Sequence, residues 1–268
     1  MRNLNHLSEI FQSYDTYVID LWGVIHNGIA LNIKAIEAVE NLEKNSKKIV
    51  FLSNAPRPSS KVKEFLKSLN MDDKHLSKVV TSGEAAMHAI NQKKFGKKFY
   101  HLGPSRDRSI FERVIENKTK LDNCDFILCT GLFDEHDNDL EYYKDLLKNY
   151  TSKKLLCTNP DLTVHRGNME ELCAGAIAKT FESIGGKVIY YGKPYKEIYE
   201  MCFNKREKVL AIGDNLRTDI KGANNMKIDN IFIYNGVHRN EFKNDNELIK
   251  LFDKYKVSVN YFQRELEW

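Results

Sequence analysis

Side chains that can carry out chemistry follow directly after several short apolar stretches of the sequence. They comprise a lone carboxylate, a small hydroxyl with an amide beside it, an ammonium group and a pair of carboxylates. In chain order these residues are Asp20, Ser53, Asn54, Lys193, Asp214 and Asp219. In an open parallel α/β sheet the carboxyl ends of the strands form one edge, and ligands bind outside it. The sequence therefore predicts that these side chains share one site.

This set of groups is what phosphoryl transfer through a covalent intermediate requires. A carboxylate can attack phosphorus and form an aspartyl-phosphate. A Mg²⁺ ion held by carboxylates neutralises charge, so that an anionic nucleophile can approach an anionic phosphoryl group. A lysine, a small hydroxyl and backbone N–H groups at strand-to-helix turns can hold the phosphoryl oxygens. Each residue alone also has a structural interpretation, such as a helix N-cap for an aspartate.

The elements that must position these residues alternate between apolar strands and amphipathic helices, which is typical of a parallel sheet with crossover helices. The predicted strands are 17–21, 48–53, 98–102, 126–130, 155–158, 187–191, 208–212 and 230–234. Helical spacing of apolar residues predicts helices around 33–42, after Pro58, around 196–203 and from about Arg217. The middle strands either continue the same sheet or form the sheet of an inserted domain, and periodicity alone does not decide.

Composition excludes several other functions. The chain has 268 residues, with 41 Lys and Arg against 37 Asp and Glu. These charges are interleaved without a basic arm, which argues against a nucleic-acid partner. The N-terminal stretch is polar and no run of 18 apolar residues occurs, so neither secretion nor a membrane association is predicted. The five cysteines are odd in number and form no CxxC pair, which favours reduced thiols and a cytoplasmic location.

The motifs and their order resemble those of the haloacid dehalogenase superfamily of phosphohydrolases. Its four motifs match Asp20 in DLWGV, Ser53 in FLSN, Lys193 in YGKP, and Asp214 with Asp219 in GDNLRTD. The long stretch between the second and third motifs matches the class IIA branch, in which a large α/β cap is inserted there. VVTSGEAA and CTNPD resemble segments of the NagD-like capped phosphatases within that branch.

The resemblance implies a Rossmann-like parallel-sheet core with an inserted α/β cap domain. The core would comprise residues 1–82 and 184–268, and the cap residues 83–183. Small residues near both boundaries can serve as hinges. Capped relatives often pair, so a homodimer is one option that the resemblance leaves open.

The resemblance also implies roles for single residues. Asp20 would be the nucleophile and a Mg²⁺ ligand, with Lys193 and Ser53 holding the phosphoryl group. Asp214 would be the second carboxylate on the metal, supported by Asp219, and the backbone carbonyl of Trp22 would complete the protein ligands. Asn54, Asp161 and His26 would contact a small phosphorylated substrate.

Trp22 departs from the superfamily pattern, because the usual residue at this position is a second aspartate that protonates the leaving group and later activates water. An indole donates one hydrogen bond but exchanges no proton near pH 7, so general acid–base catalysis worth about 10²- to 10⁴-fold is missing. Three hypotheses follow. The chain is a phosphohydrolase that favours good leaving groups or takes its acid from elsewhere, a catalytically weak Mg²⁺- and phosphate-binding protein with a regulatory role, or a protein that passes the phosphoryl group to another acceptor.

Other polar residues are candidates for completing the site. His26, six residues after Asp20, is the nearest titratable side chain that can replace the missing acid, since imidazole titrates near neutrality. His165 and Arg166, which share the segment NPDLTVHRG with Asp161, are candidates for a cap loop that meets the substrate. Arg57, near the second motif, is a candidate for a phosphate contact.

Overall fold

The computed structural model describes residues 1–167 and 169–268 as α/β, with two parallel sheets and a separate hairpin. The strands are β1 (Arg2–Asn3), β2 (Thr16–Asp20), β3 (Lys48–Ser53), β4 (Val79–Thr81), β5 (Phe99–Leu102), β6 (Phe126–Cys129), β7 (Lys154–Cys157), β8 (Thr163–Arg166), β9 (Met169–Leu172), β10 (Lys187–Tyr190), β11 (Val209–Gly213), β12 (Asp229–Ile233) and β13 (Tyr261–Gln263). The helices are α1 (Ile33–Lys44), α2 (Ser59–Ser68), α3 (Ser82–Asn91), α4 (Leu140–Leu147), α5 (Ala174–Ser183), α6 (Lys196–Glu200), α7 (Lys221–Met226) and α8 (Asp245–Tyr255).

The larger sheet has the order β1-β13-β12-β11-β2-β3-β4, and its neighbouring strands are parallel. The residues of β2 and β11 are buried throughout, as expected for central strands covered by helices on both faces. Tyr17 and Ile19 pack on one face with residues of α1 and α2, whereas Val18 packs on the other face with residues of α6. This alternation fixes the register, so that β2, β3 and β11 all end at the same edge of the sheet.

The smaller parallel sheet has the order β10-β7-β6-β5 and lies in the middle part of the chain. Its strand β10 corrects the predicted boundary at residue 184, because Lys187–Tyr190 pairs with Lys154–Cys157 and not with any strand of the larger sheet. An apolar, β-branched strand carries the same sequence pattern in either sheet, so the pattern could not assign it. We propose that the chain returns to the core after Tyr190 rather than at 184.

The first predicted boundary, at 82–83, stays a proposal, and the packing of α3 supports it. Ala86 and Ile90 of this helix are buried against Phe99 and Phe126 of the smaller sheet. The helix therefore packs as part of the inserted region, although it begins directly after β4 of the larger sheet.

Strands β8 and β9 form an antiparallel hairpin that pairs with neither large sheet. The sequence interpretation placed His165 and Arg166 in a cap loop, and this was wrong, since both lie in β8. The four residues of β8 are half-buried, and half of β9 is exposed. A strand with so little apolar burial has a weak periodic signal.

Two expectations about the chain as a whole can be compared with the structure. Among residues 1–167 and 169–268, no helix combines the length and apolar character needed to cross a bilayer. The five cysteines are buried and free.

A pH-dependent contribution to stability is expected from His101 of β5. It is 5 % exposed, lies 2.9 Å from the Thr130 hydroxyl and packs on Phe111. Burial, with a smaller effect of Lys118, lowers the pKa of His101 to about 4. Above pH 6.5 the imidazole is neutral in both states. As the pH falls towards 4 the unfolded chain takes up a proton that the folded chain does not, which removes up to roughly 3 kcal/mol of stability.

The measurement is urea unfolding of wild type and His101→Gln at pH 7 and pH 4.5. The variant should lose less stability on acidification than wild type, whereas the exposed control His88→Gln should follow wild type. An equal pH dependence in wild type and His101→Gln would show that His101 does not contribute.

Candidate active site

Three carboxylates meet at the edge where β2 and β11 end. Asp20 is the last residue of β2, Asp214 follows β11, and Asp219 lies in a π-helical turn over Leu216–Ile220. One carboxylate oxygen from each lies within 4.8 Å of the other two, and all three side chains are buried. The structure therefore brings together the acidic residues that the sequence interpretation assigned to one site.

Lys193 lies among these carboxylates, although it comes from the segment directly after β10 of the smaller sheet. Its Nζ forms an ion pair with Asp20 and lies 2.7 Å from Oδ1 of Asp219. The same Nζ donates a hydrogen bond of 3.1 Å to the carbonyl of Leu52. A single buried ammonium group thus links strand ends β2 and β3 with the turn after β11.

Ser53 and Asn54 lie at the end of β3 and line the same cavity. Oδ1 of Asn54 accepts a hydrogen bond of 2.8 Å from the backbone N–H of Lys193, so Asn54 positions the lysine. The Ser53 hydroxyl accepts one of 3.2 Å from the N–H of Ala55. The expected contact of Asn54 with substrate stays a prediction, and its bond to the backbone of Lys193 adds a supporting role.

The electrostatics of the cluster are dominated by excess negative charge. Burial and the neighbouring carboxylates raise the pKa of Asp20, and Lys193 offsets this only in part. Burial and Asp219 raise the pKa of Asp214 to about 8. Burial alone would lower the pKa of Lys193, but Asp20 and Asp219 raise it well above its usual value, so the lysine stays charged. One ammonium does not neutralise three carboxylates.

This donor set fits a divalent cation with a preference for oxygen ligands, which would supply the missing positive charge. The loop after β2 is also compatible with a cation site, because Gly23 lies directly against Asp214. Its φ is +92°, and a Cβ at this position would come 2.1 Å from a carboxylate oxygen of Asp214. The carbonyl of Trp22, expected as a ligand, belongs to the peptide unit that joins Trp22 to Gly23.

Asp161, between β7 and β8, connects the inserted region to the core. Its Oδ1 accepts hydrogen bonds of 3.1 Å from the amide of Asn215 and 2.9 Å from the hydroxyl of Thr218. Partial burial raises the pKa of Asp161, and Lys193 opposes this rise. Asp161 lines the cavity, and its carboxylate also holds the turn that carries Asp219. Its predicted contact with substrate stays a prediction.

His26 does not fit the role of a replacement acid. It is 4 % exposed and does not line the cavity. Its Nδ1 accepts a hydrogen bond of 3.1 Å from the N–H of Gly28, and its ring packs edge-on against Trp22 and Phe65. Burial lowers the pKa of His26 to about 4, so at neutral pH the imidazole is uncharged and does not act as a general acid. The structure removes it as a candidate for the missing acid and for a substrate contact.

The arginines proposed for phosphate or substrate contacts are already paired. Arg57 lies 2.6 Å from Asp107, and Arg166 lies 2.8 Å from Glu171. Both arginines line the cavity, which has a volume of about 760 Å³ and is bounded by residues of the core, the smaller sheet and the hairpin.

Backbone N–H groups and a histidine complete the site, and those in the loop after β12 carry no signal in the sequence. The N–H of Val237 donates a hydrogen bond of 2.8 Å to Asp214, and the N–H of Asn215 donates one of 3.1 Å to Asp219. His238 accepts a hydrogen bond of 3.0 Å from the N–H of Leu216 at the start of the π-helical turn. The loop after β12 that carries Val237 and His238 has no motif that would have pointed to the site.

Comparison with known proteins agrees with this geometry. The haloacid dehalogenase-like hydrolase family matches residues 17–114, and a second family, HAD-hydrolase-like, matches residues 190–249. The chain belongs to the haloacid dehalogenase superfamily. These two matches cover the segments that carry Asp20, Ser53, Lys193 and the Asp214–Asp219 pair.

Two relatives of this hydrolase are named as a nucleotidase and a monophosphatase, and a similar solved structure is a hydrolase of the same family. The 5'-nucleotidase YutF of Bacillus subtilis is 26% identical over 247 residues, covering 87% of this chain and 92% of that protein. The ribonucleotide monophosphatase NagD of Escherichia coli is 35% identical over 89 residues, covering 31% of this chain and 34% of NagD. A haloacid dehalogenase-like hydrolase from Brucella suis has a crystal structure with a TM-score of 0.84 and 27% identity, covering 98% of this chain and 99% of that one. The hydrolase is therefore placed in the NagD-like class IIA phosphatases.

Replacing one carboxylate of the cluster is expected to weaken binding of a divalent cation. Asp214→Asn should lower the affinity for Mg²⁺ at least about tenfold, since even residues that only orient metal ligands contribute that much. Isothermal titration with Mg²⁺ measures the effect. The matched control is Asp137→Asn, an exposed acidic residue that lines the same cavity outside the cluster. Equal Mg²⁺ affinity for Asp214→Asn and wild type would contradict a metal site at this position.

Proposed function

We propose that the protein is a Mg²⁺-dependent phosphohydrolase that acts on a small phosphorylated metabolite through an aspartyl-phosphate at Asp20. The observation that carries this proposal is the Lys193 ammonium group, which pairs with both Asp20 and Asp219 at the edge of the large cavity. A buried lysine beside the nucleophile provides positive charge where the phosphoryl oxygens must lie.

The reaction has two steps on Asp20. In the first, a carboxylate oxygen of Asp20 bonds to phosphorus while the bond from phosphorus to the leaving-group oxygen breaks, and the electron pair departs with that oxygen. In the second, the oxygen of a water molecule bonds to phosphorus while the bond from phosphorus to the Asp20 oxygen breaks, and its electron pair returns to the carboxylate. The protons of that water leave with inorganic phosphate or pass to solvent. Lys193, the Ser53 hydroxyl and backbone N–H groups would hold the phosphoryl oxygens in both steps.

The metal would be held by Asp20, Asp214 and the carbonyl of Trp22, with Asp219 in a supporting position. When bound, Mg²⁺ supplies positive charge that lets the anionic carboxylate approach the anionic phosphoryl group. The donor set supports this proposal because it consists of oxygen ligands with excess negative charge.

Trp22 bears on which substrates can react. Its indole N–H donates a hydrogen bond of 2.8 Å to the carbonyl of His165 and is therefore occupied. No proton reaches the leaving group from this position. The leaving group must therefore depart as a stable anion or take its proton from water. Acyl and aryl phosphates meet that requirement far better than sugar, alkyl or nucleoside phosphates.

The selectivity test is a steady-state assay with Mg²⁺ on two classes of substrate. We expect kcat/KM for p-nitrophenyl phosphate and acetyl phosphate to exceed that for glucose 6-phosphate and a nucleoside 5'-monophosphate by about 10²-fold or more, in keeping with the missing acid. A nucleotide belongs in the panel because two relatives are named for such substrates. Asp20→Asn should abolish turnover of both classes. Equal rates on both classes would refute the argument from Trp22.

A second function, a Mg²⁺- and phosphate-binding protein with a regulatory role, is favoured by the same occupied indole. It predicts that inorganic phosphate binds in the presence of Mg²⁺ while none of the esters is hydrolysed. The same panel, combined with phosphate titration, separates the two functions. The homodimer stays a prediction that sedimentation of the intact chain would test.

Restoring a carboxylate at position 22 should change the selectivity. Trp22→Asp is expected to raise the ratio of kcat/KM for glucose 6-phosphate to that for p-nitrophenyl phosphate by about tenfold or more, since only the poor leaving group needs the proton. The ratio is the proper measure, because loss of the indole changes kcat/KM for both substrates to the same extent. An unchanged ratio in a folded variant would show that another group already donates the proton.

A further inference from the structure

We propose that Trp22 is a positioning residue, whose indole seats the β8–β9 hairpin on the core beside the cavity that Asp20 lines. The hairpin is the part of the inserted region that depends most on such a contact. It pairs with neither parallel sheet, and its residues are half-buried or exposed. An isolated two-stranded hairpin is at best marginally stable in water, so contacts with other elements must fix its position.

The indole contacts the hairpin through its polar edge. Nε1 of Trp22 donates a hydrogen bond of 2.8 Å to the carbonyl of His165 in the middle of β8. The guanidinium of Arg166, the next residue of the same strand, lies 5.4 Å from the centre of the Trp22 ring, within range of a cation–π interaction. One core side chain therefore makes two different contacts with β8.

The core loop around Trp22 is shaped to hold this ring. Gly28 has a φ of +84°, and a Cβ there would come 2.6 Å from the indole. The buried His26 ring packs edge-on against the indole, with ring centres 5.1 Å apart. A side chain at position 28 or a different ring orientation would displace the indole from His165.

Two neighbouring contacts hold the end of the hairpin at the same place. The N–H of Gly167 donates a hydrogen bond of 3.1 Å to the carbonyl of Asn27. Arg239, in the core loop after β12, donates one of 3.2 Å to the carbonyl of Gly167. The core thus holds β8 and the residue after it from two loops, and Trp22 contacts the strand itself.

The position of the hairpin matters for catalysis because its described residues line the same cavity as Asp20. A hairpin that leaves the core opens this wall of the site and loosens contacts with whatever substrate occupies it. Trp22 then acts through the hairpin and transfers no proton. This kinetic consequence rests on the proposed phosphohydrolase function, whereas the seating of the hairpin does not.

The first experiment measures the hairpin itself. Trp22→Phe keeps an aromatic ring and removes the N–H donor, and loss of one such hydrogen bond corresponds to a roughly three- to tenfold change in an opening equilibrium. Hydrogen exchange of the intact protein should show that increase in residues 163–167 and 169–172, with strands β2 and β11 unchanged. Trp22→Ala, which also removes the ring, should show a larger increase confined to the same segment.

The matched control is Trp268→Phe, which alters the only other tryptophan of the chain. Trp268 packs on Phe11 in the core, with ring centres 4.8 Å apart, and does not line the cavity. Exchange in the hairpin should remain as in wild type for this variant. Unchanged hairpin exchange in both Trp22→Phe and Trp22→Ala would overturn the proposal.

The second experiment separates positioning from simple destabilisation. With p-nitrophenyl phosphate, Trp22→Phe should raise KM several-fold while kcat changes less than twofold. A variant that only unfolds part of the population would lower kcat and leave KM unchanged, and that result would also contradict the proposal. If wild type hydrolyses no ester at all, the proposed function fails, and hydrogen exchange alone still decides the role of Trp22.

Discussion

The site depends on the burial of more negative than positive charge at one edge of a parallel sheet. Asp20, Asp214 and Asp219 lie within 4.8 Å of one another with Lys193 as their shared cation. Like charges at this separation, removed from water, repel strongly and raise their own pKa values. Such a cluster persists only where the surrounding structure fixes each group and where a further cation can enter. The same imbalance makes the site suited to a divalent metal and to a phosphorylated ligand bound with it.

Backbone N–H groups and neutral side chains hold most of the charged groups of the site in place. Asp214 accepts from the N–H of Val237, and Asp219 accepts from the N–H of Asn215. Asn54 holds the backbone of Lys193. Because Lys193 directly follows a strand of the smaller sheet, the central ion pair also joins the inserted region to the core. A shift of that region relative to the core would therefore move the cation that neutralises Asp20.

Much of this arrangement was predictable from the sequence, because parallel strands bring residues that follow them to a common edge. The predicted strand at 48–53 agrees with β3, and the acidic residues and Lys193 meet as expected. The sheet to which β10 belongs was not predictable, since pairing partners depend on tertiary packing and leave no mark on strand periodicity. The roles of His26 and of the hairpin were missed for a related reason. Whether an imidazole is buried and neutral, or a polar segment pairs with itself, is decided by contacts with distant residues.

Position 22 faces two chemical requirements that no single side chain meets. A carboxylate there can carry a proton to a leaving group, but at neutral pH it has no hydrogen to donate to the carbonyl of His165. An indole makes that hydrogen bond and exchanges no proton. The neighbouring Gly28, which leaves room for the ring, and Arg166, which lies beside the ring, indicate that the surroundings of position 22 are shaped for the indole. In this chain the hydrogen bond that holds the hairpin and the absence of an acid at position 22 are consequences of the same side chain, so the proposed preference for leaving groups that need no proton follows from the contact that positions the hairpin.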